Sequence, residues 1–224
     1  RSNLGDKTLG YMLTHVDDKF NGTTSTVNVI DYISVKSEQL TYFTDVLFSE
    51  KDNSSKFGYR SQFNYQPSDF SYFSGSVLYF DKDFQLNDFG YLSRSDWIHL
   101  GFGGGIKLIN FAKDSYINQM DVKFDLNYDS DTKGNSNPVK IDQKNEIIFK
   151  NTSKLKFEFG AKTSGKNTTI TRKNSNFQYI KYRDRKNITL DYEAINREFW
   201  TYDWRMSIEK GSKYNTFSSN GYKR

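Results

Sequence analysis

From Tyr116 to Tyr128 the side chains alternate with a period of two. One set is Tyr116, Asn118, Met120, Val122, Phe124, Leu126 and Tyr128; the other is Ile117, Gln119, Asp121, Lys123, Asp125 and Asn127. Successive side chains on an extended strand leave opposite faces, so this is a strand with one oily face and one charged face. It exceeds the usual globular strand of about 5–6 residues. It also reaches the roughly 9–11 residues with which a tilted strand crosses a bilayer. Tyrosine at both ends of the oily face fits the aromatic girdle of a transmembrane barrel.

The same alternation recurs along the chain. Phe57, Tyr59, Phe63 and Tyr65 oppose Lys56, Arg60, Gln62 and Asn64. Ile98, Leu100, Phe102, Ile106 and Leu108 oppose His99, Gly101, Gly103, Gly105 and Lys107. Leu155, Phe157, Phe159 and Ala161 oppose Lys154, Lys156, Glu158 and Lys162. Trp200, Tyr202, Trp204, Met206 and Ile208 alternate with Thr201, Asp203, Arg205, Ser207 and Glu209. In Thr24–Val35 the faces are blurred by Asp31, and Tyr179–Ala194 reads as one long strand or two short ones. On this alternation the chain is all-β, an antiparallel up-and-down meander of about eleven strands that forms a transmembrane β-barrel or part of one. Residues 1–224 read as a single barrel domain, and the start at Arg1 without an initiator methionine reads as a piece of something longer.

Connections support the meander. From Pro67 onward short ones near 67–69, 111–115, 151–153 and 194–198 alternate with longer ones at 81–95, 129–138 and 164–177. Short turns on one side and long loops on the other are the habit of outer-membrane barrels. Asn21-Gly22 is a turn signal, and a tight turn is expected at Pro67-Ser68-Asp69.

A hydrophobic content of 35% with 17% aromatics suits strands of which half the residues face water, and argues against disorder. No cysteine occurs, which excludes a disulfide scaffold and a thiolate metal site. The net charge of +5 comes from 32 basic and 27 acidic residues that are interleaved, so it reads as solvated faces and not as a nucleic-acid patch. No apolar run long enough for a transmembrane helix is present.

Catalytic and metal motifs are not expected. His15 and His99 are far apart in sequence and neither sits in a ligand-spaced cluster. Gly101-Phe102-Gly103-Gly104-Gly105 lacks the G-K-[ST] ending of a phosphate loop, so these glycines are expected to relieve crowding or permit strand bending. No cofactor and no metal is expected. The charged faces offer a polar lumen lined by Lys56, Arg60, Asp121, Lys123, Asp125, Lys154, Lys156, Glu158 and Lys162.

The most distinctive local sequence runs from Asp81 to Trp97. Its Asn87, Asp88, Phe89, Gly90, Tyr91, Leu92, Arg94 and Asp96 match the pattern N-D-hydrophobic-G-[FY]-L-x-R-x-[ND]. In this it resembles the uncharacterised bacterial family domain of unknown function 5916. That resemblance implies a large C-terminal outer-membrane barrel, usually preceded by a family-9-like carbohydrate-binding module. It therefore implies the lipid bilayer as partner and an oligosaccharide as ligand. In plain terms, Asn87-Asp88 forms an Asx-type turn and Arg94 pins the loop. The functional alternative is a sugar-binding patch of Asp88, Tyr91, Arg94 and Trp97.

The expected function is thus an outer-membrane barrel wall, not itself an enzyme, acting as a pore or as the anchor of a carbohydrate-handling protein. The alternatives are a barrel with a plugged lumen and a soluble β-sheet glycan-binding or glycoside hydrolase-associated module.

Overall fold

The computed structural model describes residues 2–20, 22–37, 39–51, 53–84, 95–167, 179–196, 200–211, 216–218 and 222–223. Among them there are sixteen strands and no helix. The first ten are β1 (Ser2–Leu4), β2 (Lys7–Asp18), β3 (Thr23–Ser37), β4 (Leu40–Lys51), β5 (Ser54–Ser68), β6 (Ser71–Phe80), β7 (Trp97–Leu108), β8 (Ile117–Ser130), β9 (Lys140–Phe149) and β10 (Lys154–Lys162). Then follow β11 (Gly165–Asn167), β12 (Tyr179–Tyr182), β13 (Arg185–Asn196), β14 (Trp200–Gly211), β15 (Thr216–Ser218) and β16 (Tyr222–Lys223). The all-β antiparallel meander expected from the alternation is therefore the observed architecture.

Twelve strands form one sheet in the order β1-β2-β3-β4-β5-β6-β7-β8-β9-β10-β13-β14. The remaining four form a small sheet, β11-β12-β15-β16, built from the β10–β13 connection and the segment after β14. The stretch from Tyr179 is two strands, not one, broken at residues 183–184. Pro67 lies inside β5 and not in a turn; the turn is residues 69–70. Near a strand end a missing N–H is tolerable, and the Pro67 carbonyl accepts from Gln39 Nε2 at 3.3 Å. Gly22 has φ +64°, the left-handed turn conformation that its Asn-Gly signal announces.

Connections on one side of the meander are residues 5–6, 38–39, 69–70, 109–116, 150–153 and 197–199. On the other they are residues 19–22, 52–53, 81–96, 131–139 and 163–184, so the three longest share a side.

Contacts divide the chain into two compact units, residues 1–67, 74–101 and 129–135, and residues 68–73, 102–128 and 136–224. In the first unit, the register aligns Gly10, Asp31, Asp45 and Arg60 in one row on one face. A neighbouring row on that face is Met12, Val29, Leu47 and Gly58. Asp31 therefore shares a face with Asp45 and Arg60, and on β3 that face is otherwise apolar, with Val27, Val29 and Ile33, so the blur is a real feature of this strand. A small apolar cluster of Leu47, Phe80 and Phe84 packs with Val29, Leu78 and Trp97. Gly58 makes room for it: a Cβ there would stand 2.8 Å from Phe80 Cδ1 and 3.1 Å from Phe84 Cζ.

The second unit separates its faces more sharply. Apolar rows run Met120-Ile147-Leu155-Tyr192-Trp204 and Val122-Asn145-Phe157-Leu190-Met206 across β8, β9, β10, β13 and β14. Two departures from the expected pattern stand out. The apolar face of β9 carries Gln143 and Asn145 at its middle. At the start of β8 the register shifts between Ile117 and Gln119, so Ile117 pairs with Phe149 on the oily side. Such a bulge inserts one residue and re-aims its neighbours. The oily face therefore begins with Ile117, while Tyr116 precedes the strand.

Candidate functional site

In the first unit the covered face is the one that carries Asp31 and Asp45, together with Val27 and Leu47. Side chains of the oily faces stand exposed, among them Leu13, Phe48, Phe102, Phe157, Met206 and Ile208. The buried polar residues are Ser25, Asp31, Ser34, Asp45, Ser49, Ser61, Ser130, Asp131 and Ser153, of which Ser34 and Ser61 stand on the face of Tyr42 and Val46. Among the described residues, the buried hydrophobics are only Val27, Leu47, Phe80, Phe84 and Ile180.

In the second unit the polar face is a lattice of charge. One row reads Asp121-Glu146-Lys156-Asp191-Arg205, the next Lys123-Lys144-Glu158-Thr189-Ser207, and the next Asp125-Asp142-Gly160-Asn187-Glu209. The register thus brings the expected Asp121, Lys123, Asp125, Lys154, Lys156, Glu158 and Lys162 onto one face. Like charges meet across some ladders, Lys123 beside Lys144 and Asp125 beside Asp142, which is unfavourable unless neighbours compensate. Lys144 is compensated from the next strand, and further ion pairs stitch the same face. Lys144 Nζ lies 4.0 Å from Glu158, and Lys156 Nζ lies 3.7 Å from Glu146. Arg185 Nη2 donates to Glu209 Oε2 at 2.5 Å. Gly103 keeps space for Asp125, whose Oδ1 would lie 2.6 Å from a Cβ, and Gly105 does so for the Tyr72 ring. The glycine run is a close-approach device, as its alternation suggested.

A groove of about 770 Å³ opens on this face. Its polar lining is Lys154, Lys156, Asp191, Glu193, Asp203 and Arg205, three cations matched by three carboxylates. The arrangement presents alternating donors and acceptors with little net charge. That suits an uncharged polyol or hydrated ions better than a single strongly charged ligand.

In the first unit, Lys56 and Arg60 lie on the same face of β5. Arg60 Nε donates to Asp45 Oδ2 at 2.9 Å, Nη2 donates to the same oxygen, and the guanidinium lies 4.7 Å over the Phe43 ring. Asp45 is only 6% exposed at its side chain, so this carboxylate is held by a charge-assisted pair and not by water. Alternation along β4 sets Thr41 and Asp45 opposite Tyr42, Val46 and Phe48, but only the register sets Asp45 against Arg60.

Of the patch expected near the long loop, Asp88, Tyr91 and Arg94 lie outside the described residues. Trp97 stands at the start of β7, stacked on Phe80 with ring centroids 6.4 Å apart, and its Nε1 donates to Asp129 Oδ1 at 2.8 Å. Asp129 Oδ1 also receives His99 Nδ1 at 2.9 Å, and His99 Nε2 lies 3.2 Å from Ser76 Oγ. Sequence reasoning missed this grouping; its members come from three strands and share no motif. The described residues contain no group of three or more histidine, cysteine or acidic side chains placed to hold a metal ion.

No family model matches this chain, and no curated protein or solved structure matches it either.

Proposed function

We propose that the chain forms part of the wall of a bacterial outer-membrane β-barrel. In that setting the exposed oily faces meet lipid and the charged faces line a polar interior, as a pore or as the anchor of a carbohydrate-handling protein. The observation that carries this reading is the exposure of the oily faces, with Phe48, Phe157, Met206 and Ile208 open, while Asp31, Asp45 and Ser49 on the opposite face are buried. Lysine or arginine on a lipid face at the midplane costs about 2–4 kcal/mol. In keeping with that, the apolar face of β13 and β14 carries its charge only at one end, at Lys186 and Lys210. The grouping of the longest connections on one side also supports it, since outer loops of such barrels are long and inner turns short.

The deciding experiment is refolding into lipid vesicles. The expected outcome is a heat-modifiable band on gels together with a β-type circular dichroism spectrum, obtained only with detergent or lipid. A stable folded monomer in plain buffer would overturn the membrane reading and favour a soluble glycan-binding module.

For ligand, the balanced groove on β10, β13 and β14 favours a neutral oligosaccharide. The polar-aromatic patch of Asp88, Tyr91, Arg94 and Trp97 is a second candidate contact. Arg94→Ala in the folded protein tests that patch, and unchanged oligosaccharide binding would sink it.

A further inference from the structure

We propose that Ser76, His99 and Asp129 form a nucleophilic centre that cleaves a small carboxylic ester, an activity beyond the wall role. The three residues stand on successive strands of the sheet, Ser76 on β6, His99 on β7 and Asp129 on β8. Their hydrogen bonds run in one line, Ser76 Oγ to His99 Nε2 at 3.2 Å and His99 Nδ1 to Asp129 Oδ1 at 2.9 Å.

Chemistry settles the direction of each bond. An ionised carboxylate only accepts, so Nδ1 carries the hydrogen. In the neutral ring the other nitrogen, Nε2, then holds a lone pair, and the Ser76 hydroxyl donates to it. That is the arrangement in which an imidazole acts as general base toward a serine, with the carboxylate selecting its tautomer. Trp97 Nε1 donates to the same Asp129 oxygen at 2.8 Å, and the Trp97 ring lies 5.8 Å from the His99 ring. Two donors thus hold Asp129, and the Trp97–Phe80 stack supplies an apolar wall beside the imidazole.

Access is intermediate. The His99 side chain is 17% exposed and that of Asp129 26%, whereas the adjoining Ser130 and Asp131 are sealed at 2% and 4%. Ser76 is half-buried. A small ester reaches such a centre from water.

The reaction balances without a further reagent. Ser76 Oγ adds to the ester carbonyl carbon while Nε2 takes the hydroxyl proton. The bond from that carbon to the alcohol oxygen breaks, and the alcohol leaves with the proton. Water then adds to the acyl-serine and gives a proton to Nε2. The acyl–Oγ bond breaks, Oγ regains the proton, and the carboxylic acid departs. Amides of β6, β7 and β8 are engaged in pairing between strands, so turnover is expected to be slow and covalent labelling is the primary readout.

The test uses the full folded chain, in whichever medium it folds, with a fluorophosphonate probe and p-nitrophenyl acetate. Expected are a single label, mapped by mass spectrometry to the peptide containing Ser76, and its loss in Ser76→Ala. His99→Gln slows labelling by about 10²–10⁴-fold, the range for loss of a general base. Asp129 is a positioning residue: Asp129→Asn slows labelling and removes the low-field proton resonance of His99 Nδ1–H. Absence of label on the wild-type chain, or a label on another serine, would overturn the proposal. Mapping the wild-type adduct decides the matter even where a variant fails to fold.

Discussion

Arg205 faces Asp191 across the β13–β14 ladder and closes a two-point fork on its carboxylate, Nε to Oδ1 at 2.6 Å and Nη2 to Oδ2 at 2.8 Å. Such a fork fixes both position and angle of the guanidinium. It places one of the groove's three cations against one of its three carboxylates.

Asp191→Asn breaks that balance and leaves Arg205 without its anion. In a conducting barrel the expected outcome is a shift of ion preference toward anions, since lumen charge tunes selectivity. The measurement is the reversal potential in a salt gradient across a planar bilayer. An unchanged potential at unchanged conductance would mean that ions do not pass over this groove.

The oily face of the second unit predicts opposite effects at two cross-strand neighbours. Phe157→Arg is expected to destabilise the bilayer-inserted protein by about 2–4 kcal/mol. Asn145→Leu, opposite Phe157 on β9, is expected to stabilise it by about 0.5–2 kcal/mol by removing an amide from an apolar setting. Denaturant titration in vesicles reads both. If Asn145→Leu is destabilising instead, this part of the face meets water or a polar partner.

Gly58 and Phe84 are coupled both directly and through the Phe80 ring, since a Cβ at Gly58 would meet Phe80 and Phe84 alike. Gly58→Val is expected to cost about 1–3 kcal/mol by overpacking, and Phe84→Ala about 3–5 kcal/mol by opening a cavity. Together they should cost less than their sum, because Phe80 can yield into the vacated space. A strictly additive double-mutant cycle would show that neither Phe80 nor a direct contact couples the two sites.

Asp131 organises the turn after β8. Its Oδ1 accepts from Lys133 N at 3.0 Å and Asn135 N at 2.7 Å, and its Oδ2 accepts from Asn135 Nδ2 at 2.8 Å. Asp131→Ala is expected to cost at least about 1.5 kcal/mol, the low end for one hydrogen bond to a charged acceptor. The Lys133 and Asn135 amides should then exchange faster in hydrogen-exchange measurements, with amides in mid-strand unchanged.

Much of the fold was legible beforehand because alternation is a local property of extended backbone. The alternation of Ile98, Leu100, Phe102, Ile106 and Leu108 falls inside β7, and that of Leu155, Phe157, Phe159 and Ala161 inside β10. Where the reading slipped, the cause was not local. The bulge near Asn118 depends on how β8 meets β9, and Pro67 is carried into β5, where Gln39 Nε2 reaches its carbonyl from a residue distant in sequence. The β11-β12-β15-β16 sheet joins segments distant in sequence, and short strands of this kind carry little periodic signal.

By itself the sequence determined the long strands of the meander, the two unlike faces of most of them and their up-and-down order, because each follows from side-chain alternation and turn chemistry within a few residues; the short strands of the second sheet lay beyond that signal. Only the tertiary structure decided the register, and a one-residue slip in register would have exchanged every partner. Register is what sets Asp45 against Arg60, Asp191 against Arg205, and His99 between Ser76 and Asp129. It also decided burial: alternation marks a face as oily or charged, but only packing buries Asp31 and Asp45 and leaves Phe157 and Met206 exposed.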